Sequence, residues 1–275
     1  MKDKDRPIGV DLSFDLFTSA LPVPDVSLFP LTRTTKSAME TEFSPELLLS
    51  VLRDPVIAGA LALTLRTCLV AAVGFLIAGP ALAWLFARKR GWAVRLLNFL
   101  VTLPLVFPPI ALGYLLLLLL GRTGPVGALL AEAGLPMVFT SSAVYFAAFV
   151  AGLPLVVRPV VAALESPALC DLEFAAAVHG ARPLTVFFKV TLPLIRTHIL
   201  SGLLLGLTRA SGEVGITMML GGNLSGRTNT LSLEIFNAVS RADFDAATAL
   251  CLVLSAFTLL VFALLEALRR RSVAL

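Results

Sequence analysis

Long apolar runs separated by short polar stretches dominate this sequence from about residue 56 onward. A helix that crosses the hydrocarbon core of a bilayer needs roughly 20 apolar residues. The runs therefore predict five membrane-spanning helices, at residues 56–87, 98–120, 139–157, 195–220 and 244–268. We expect an all-α, multi-pass membrane helix bundle that occupies residues 46–271.

The composition supports a membrane protein. Hydrophobic residues make up 57% of the chain and charged residues 15%, and the mean hydropathy is +0.91. Soluble domains carry about 25% charged residues. The apolar runs leave no room for a separate soluble catalytic domain. The net charge of +4 comes from basic residues at the ends of apolar runs, which indicates contact with a lipid bilayer and not nucleic-acid binding.

The first 45 residues differ from the rest because they are polar and contain no apolar run long enough to span a membrane. The basic start is not followed by the apolar core of about 7–15 residues that a signal peptide requires. We expect residues 1–45 to be a poorly ordered extension. Met39 lies near its end, and one hypothesis is that native translation starts at Met39.

The second apolar run contains three prolines within six residues, Pro104, Pro108 and Pro109. A proline inside a helix removes an N–H donor and its ring clashes with the preceding turn, so we expect a break in this span. Broken backbone at membrane depth is tolerated only where it packs in protein or faces a wet cavity. The cluster therefore either lines a translocation pathway or marks a helix entry at the membrane surface.

The middle of the fourth run carries two opposite charges, Arg209 and Glu213, with Ser211 and Gly212 between them. Residues four apart lie on one side of a helix, so the two charges can neutralise each other inside the membrane. A structural or gating role fits this pair better than direct ligand contact. Proton coupling through Glu213 is a weaker alternative, because a fixed arginine partner favours the ionised carboxylate.

Nothing in the sequence predicts catalysis, a cofactor or a metal site. Cys68, Cys170 and Cys251 are scattered, without close Cys or His partners. Residues 221–228 nearly spell a phosphate-binding loop, with Arg227 in place of lysine. That motif must follow a buried strand and open a helix, whereas this run lies in a loop between two predicted spans. We therefore expect no ATPase site in this chain.

The distribution of positive charge orients the five spans, because cytoplasmic loops are enriched in Lys and Arg. An outside N-terminus and a cytoplasmic C-terminus place most basic residues of the loops inside. The inner set is Arg88, Lys89, Arg90, Arg95, Arg158, Arg182, Lys189, Arg196, Arg269, Arg270 and Arg271, and the outer set is Arg122, Arg227 and Arg241. This orientation puts residues 166–193 in the cytoplasm.

Residues 166–193 contain a short helix with its own start and stop signals. Ser166 is a good N-cap, Pro167 suits the first helical position, and Gly180 with Pro183 beyond it ends the helix. Glu173, Ala176, Ala177 and Gly180 follow helical spacing and share one face. A face with one acid and otherwise very small residues suits close docking against another protein, while an ordinary cytoplasmic loop helix is the alternative.

This loop resembles the EAA loop of ABC importer permeases, through Glu173-Phe174-Ala175-Ala176, Gly180 and the Val-x-Leu-Pro step at 190–193. Phe174 stands where that family has alanine, and His179 replaces an apolar residue. The resemblance implies that the loop carries the coupling helix, which docks into a groove on a cytoplasmic ATPase. The residues it assigns to ATPase coupling are Glu173, Ala175, Ala176, Gly180, Leu192 and Pro193.

Over residues 44–271 the chain is similar to the molybdate branch of these permeases. The similarity rests on the Leu-Pro-Leu-Val-Phe-Pro-Pro run at 103–109 with Gly-Tyr-Leu at 113–115, on Arg-x-x-Gly-Glu-Val-Gly at 209–215, and on Asn-x-x-Gly-x-Thr-x-Thr at 223–230. The expected pathway or gate residues are Pro104, Pro108, Pro109, Arg209, Ser211, Gly212, Glu213 and Thr230.

The resemblance implies a type I ABC importer permease fold in the inner membrane. It further implies a permease homodimer, two ATPase subunits and an extracytoplasmic oxyanion-binding protein, which together import molybdate. Sulfate, thiosulfate or tungstate is an alternative cargo. An ATP-independent secondary transporter is a rival class, although the sequence shows no inverted repeat. A membrane-embedded enzyme is another rival, but the polar catalytic set it requires is missing.

Overall fold

The computed structural model describes residues 54–273, with the side chains of residues 268 and 271–273 left aside. Over this range the chain forms eleven α-helices and one π-helical turn, which confirms the all-α prediction. The predicted extension at 1–45, with the hypothetical start at Met39, lies outside the described residues. The α-helices are α1 Pro55–Arg88, α2 Trp92–Val106, α3 Pro109–Leu120, α4 Pro125–Glu132, α5 Ser141–Leu164, α6 Pro167–Val178, α7 Pro183–Val186, α8 Leu192–Ser211, α9 Gly215–Gly221, α10 Leu231–Ser240 and α11 Phe244–Val273, and the π-helical turn is Phe187–Thr191.

The first helix shows how local signals set its ends. The Asp54 carboxylate accepts a hydrogen bond from the Val56 N–H at 2.8 Å, and Pro55 occupies the first turn. The helix then runs for 34 residues to Arg88. At 1.5 Å per residue its length is about 51 Å, well beyond the roughly 30 Å of a hydrocarbon core. α1 therefore tilts in the membrane or extends beyond it.

Four helical stretches in the described range are long and apolar enough to cross a membrane, at Pro55–Arg88, Ser141–Leu164, Pro183–Ser211 and Phe244–Ala267. The pair α3 and α4, bent by 51°, forms a fifth if it is counted as one broken span. The predicted third span at 139–157 ends too early, because α5 continues to Leu164. Pro159 removes one N–H donor from α5 without ending the helix.

Two of the predicted spans are interrupted. The span expected at 98–120 is divided into α2 and α3 at Phe107, whose extended backbone precedes Pro108. Pro104 lies inside α2, near its C-terminal end, so only the second part of the proline cluster coincides with the break. The span expected at 195–220 is divided into α8 and α9 at residues 212–214.

The centre of the bundle is formed by α1, α5 and α8, which approach each other closely at glycines. A Cβ atom added at Gly152 of α5 would lie 2.6 Å from the Gly206 carbonyl oxygen of α8. A Cβ at Gly202 would lie 2.9 Å from the Val156 carbonyl oxygen. Small residues at helix crossings allow this backbone proximity, and the close van der Waals packing that results stabilises helix association in a membrane.

We expect Gly152→Ala to destabilise the bundle, because the new methyl group would press against the backbone of α8. Overpacking of this kind costs about 1–3 kcal/mol. The matched control is Gly59→Ala in α1, where an added Cβ meets no atom within 4 Å. A thermal unfolding curve of the purified protein in detergent should show a lower midpoint for Gly152→Ala only, and equal midpoints would contradict the packing argument.

Candidate functional site

Helix α6 has the start and stop that its sequence predicts. The Ser166 hydroxyl accepts a hydrogen bond from the Leu169 N–H at 3.4 Å, and Pro167 occupies the first turn. At the other end, Gly180 has φ of +79°, its N–H donates to the Ala177 carbonyl, and the Ala181 N–H donates to the Ala176 carbonyl. These two bonds form a Schellman motif. Nothing lies within 4 Å of a Cβ built at Gly180, so backbone conformation, not space, favours glycine there.

The surface of α6 differs from the predicted docking face in one respect. Phe174 is 72% exposed and Val178 is 67% exposed, and these two residues follow helical spacing. Glu173 and Ala176 are half-buried and turned toward the rest of the chain, whereas Ala175 is exposed. The free face of α6 therefore presents these two apolar side chains beside the exposed Asp171, and Glu173 is not at its centre.

Glu173 instead binds two other elements of its own chain. Its carboxylate forms an ion pair with Arg88, the last residue of α1. Its other oxygen accepts a hydrogen bond from the hydroxyl of buried Thr191 at 2.5 Å. The Arg88 guanidinium also lies over the Trp84 ring, 5.1 Å from its centroid. Glu173 thus connects α6 to the end of α1 and to the start of α8.

The Leu-Pro step lies where the π-helical turn meets α8. Pro193 is in the first turn of α8 and cannot donate an N–H. The Leu192 N–H donates to the Phe187 carbonyl, five residues earlier, which is the π-helical pattern. Thr191, the last residue of the π-helical turn, is also the partner of Glu173. Leu192 and Pro193 therefore fix the position of Thr191 and do not themselves contact α6 through hydrogen bonds.

The break between α8 and α9 is organised by Glu213, which is almost fully buried. Its Oε1 accepts a hydrogen bond from the Ile216 N–H at 2.8 Å, and its Oε2 lies 2.6 Å from Arg209 Nη1 without hydrogen-bond alignment. One carboxylate thus caps α9 and neutralises an arginine. This arrangement fits the predicted structural role of the charged pair.

The two interrupted spans meet at their breaks. A Cβ added at Gly215 would lie 2.8 Å from Pro109 Cβ and 3.0 Å from the Ile110 nitrogen. A Cβ added at Gly113 would lie 2.9 Å from Met219 Cβ. The structure therefore brings Pro109 and Ile110, just after the proline break, against Gly215 at the start of α9, while Phe107 and Pro108 are exposed. Pro104 does not share this contact.

Ser211 and Thr230 belong to a buried polar segment around the start of α10. The Ser211 carbonyl accepts a hydrogen bond from the Ser232 hydroxyl at 2.6 Å. The Thr230 hydroxyl is buried and has no hydrogen-bond partner. Asn229 donates to Glu234 at 2.8 Å, and the Thr64 hydroxyl accepts the Leu231 N–H at 3.0 Å.

Thr64, Asn229 and Glu234 are not among the residues that the sequence predicts for the pathway. Thr64 is a polar residue inside an apolar run, and Glu234 is the one acid between Leu231 and Ser240. These signals mark each residue as unusual but do not show that they lie together. Within residues 54–273, no three His, Cys, Asp or Glu side chains come together as a potential metal site.

Residues 76–273 match the family model for the binding-protein-dependent transport system inner membrane component. The chain is 40% identical over 203 residues to the molybdenum transport system permease protein ModB of Mycobacterium tuberculosis, which covers 74% of this chain and 76% of that protein. It is 37% identical to the chloroplastic sulfate permease 2 of Chlamydomonas reinhardtii, covering 75% of this chain and 56% of that protein.

A solved structure also shares the fold. It is the structure of a bacterial ABC transporter involved in the import of the acidic polysaccharide alginate. One of its chains aligns with a TM-score of 0.63, over 89% of this chain and 90% of its own length. The identity is 19%, so this likeness concerns the fold alone. The fold of an ABC importer permease is thereby confirmed for the described residues.

We expect Glu173→Gln to loosen α6, because the ion pair to Arg88 is lost while an acceptor for Thr191 remains. The side chains of Arg88 and Glu173 are both less than one-third exposed. Loss of their ion pair should therefore lower the local stability of α6 by about 1–2 kcal/mol. Hydrogen exchange of the α6 backbone amides measures this loss as faster exchange. The charge-reversed pair Arg88→Glu with Glu173→Arg should restore part of the protection.

The control for this experiment is Glu266→Gln, which removes ion pairs to Arg269 and Arg270 at the far end of α11. It should leave the exchange of α6 unchanged. If Glu173→Gln also leaves that exchange unchanged, the ion pair does not hold α6.

Proposed function

Because the chain belongs to the binding-protein-dependent transport system inner membrane component family, we propose that it is the permease subunit of an ATP-driven molybdate importer. The observation that carries this proposal is the attachment of α6 through Glu173 to both α1 and α8. A helix that is exposed on one face and tied to two long helices on the other can transmit a displacement into the membrane.

In this proposal the chain performs no chemistry of its own. Two partner ATPase subunits hydrolyse ATP, an extracytoplasmic binding protein delivers the oxyanion, and two copies of this chain form the translocation pathway between them. The eight-residue set predicted for the pathway serves as its gate. A membrane-embedded, multi-pass location follows from the family and from the apolar helices.

The orientation is also part of the proposal. The N-terminus lies outside and the C-terminus in the cytoplasm, because this choice places the basic ends of the apolar helices inside. It brings α6 to the same side as a cytoplasmic ATPase. The exposed apolar side chains of Phe174 and Val178 then face the ATPase, where burial on docking would stabilise the contact.

The route of coupling follows the contacts of Glu173. Closure of the ATPases displaces α6, and the displacement passes through Thr191 into α8, a continuous helix of 20 residues. The other end of α8 is the break at residues 212–214, and Gly215, directly after it, packs against Pro109. Breaks of this kind are the elements of a bundle that can reposition without unfolding a regular helix.

Molybdate is the cargo that we favour, because the relatives with this name match most of the chain. The similarity to a sulfate permease keeps sulfate as the second candidate. Both ions are tetrahedral dianions, so their charge and shape do not distinguish them. Selection between them then lies mainly in the binding protein.

The test of the function is uptake of radiolabelled molybdate by proteoliposomes that contain the permease, its ATPase and its binding protein. We expect uptake to require ATP and all three components, because this chain has no energy source of its own. A variant ATPase that cannot hydrolyse ATP is the control. Uptake that is undiminished without ATP would contradict the proposal and favour a secondary transporter.

We also expect Gly180→Asp to abolish most ATP-driven uptake, since bulk and charge at the end of α6 would block ATPase docking. The matched control is Gly134→Asp, because Gly134 has φ of +72° and, like Gly180, no atom within 4 Å of a built Cβ. Both variants carry similar backbone strain, but only one alters α6. Immunoblots of membranes should show equal protein levels, and normal uptake by Gly180→Asp would contradict the assignment.

A further inference from the structure

A cavity of about 610 Å³ lies between the bend that joins α3 to α4, the start of α5 and the loop at residues 222–230. Its walls are largely apolar, with Leu117, Leu120 and Met137 among the lining side chains. The volume exceeds that of a small inorganic ion several times over. In the proposed orientation the cavity opens to the outer side of the membrane.

The charged residues that line this cavity are both arginines, Arg122 and Arg227. No carboxylate belongs to the lining, and among residues 54–273 neither guanidinium has an Asp or Glu oxygen within 4.0 Å. The cavity therefore carries a formal charge of about +2 that the described part of the chain leaves unbalanced.

The backbone on both sides of the cavity is held firmly, although the two guanidinium groups are exposed. Arg122 lies in a tight bend, where a Cβ added at Gly127 would collide with the Gly121 carbonyl oxygen. On the other side, the Arg227 N–H donates to the Leu224 carbonyl at 3.0 Å, and the Arg227 carbonyl accepts from the Ser141 hydroxyl at 3.4 Å. The backbone that carries the two cations is thus held in place.

The wall between them is fixed as well. Phe139 has φ of +63°, and its N–H donates to the Leu220 carbonyl at 2.8 Å. Its ring lies against Gly222, where a Cβ would clash with it. The cavity is therefore a shaped site between two arginines and not a gap between mobile loops.

We propose that this cavity binds a tetrahedral oxyanion and is the first place where the permease holds its cargo. A planar guanidinium donates two parallel hydrogen bonds to an oxyanion, and two arginines match the two charges of molybdate or sulfate. The inference rests on the proposed function for the identity of the anion and for the outer location of the site. Acidic side chains of a docking protein would fit the same charge and are an outcome of the test.

The test uses the assembled permease–ATPase complex in lipid nanodiscs, without binding protein, and measures equilibrium binding of radiolabelled molybdate. We expect saturable binding, and about tenfold or greater weakening in the double variant Arg122→Gln with Arg227→Gln. The variant Arg122→Lys with Arg227→Lys keeps both charges but loses the paired donors, so it should bind with intermediate affinity. Arg241→Gln is the control, because Arg241 is exposed but does not line the cavity.

Three results would overturn the inference. The first is absence of saturable binding to the unaltered complex, and the second is equal affinity of the double glutamine variant and the unaltered complex. The third is a variant whose affinity for the binding protein falls while its affinity for free molybdate is unchanged, which would assign the arginines to protein docking. ATP-driven uptake is measured in a separate assay. Its absence with the unaltered complex would refute the proposed function, but it would not refute anion binding in the cavity.

Discussion

Backbone N–H and C=O groups have no water to bind within a bilayer, so a chain that leaves the helical path there must pair them inside protein. Two spans of this chain leave the helical path, at Phe107 and at residues 212–214. At the second break Glu213 accepts the Ile216 N–H, and Gly215 packs against Pro109 beside the first break, where Phe107 and Pro108 are exposed. The close glycine crossings of α1, α5 and α8 hold the surrounding bundle in the shape that this contact requires.

The same arrangement connects the centre of the bundle to the short helix α6. Glu173 and Thr191 form a hydrogen bond at the start of α8, and α8 runs for 20 residues to the break, a distance of about 30 Å. A stiff helix with a surface element at one end and an interrupted segment at the other is suited to transmit force. This geometry gives the proposed ATP-driven mechanism a physical path that a secondary transporter would not need.

The possible functions differ in what they require of the buried polar groups. A membrane-embedded enzyme needs a set of groups that can exchange protons or attack a substrate, whereas Glu213 caps a helix and Asn229 binds Glu234. A transporter needs paths and sites for a charged cargo. The cavity between Arg122 and Arg227 suits an anion, whereas the polar segment at α10 contains the buried carboxylate of Glu234.

The sequence by itself determined the properties that depend on neighbours along the chain. Apolar run length predicted the helical membrane class, Ser166 and Gly180 predicted the ends of α6, and the proline cluster predicted an interruption near its actual place. The tertiary structure decided which residues meet. Arg88 lies 85 positions before its partner Glu173, so the predicted docking face of α6 turns partly inward, and the Gly215–Pro109 contact joins two distant breaks. Caps and periodicity act over a few residues, but the rotation of each helix is set by packing against helices that are remote in sequence, and no local pattern encodes that rotation.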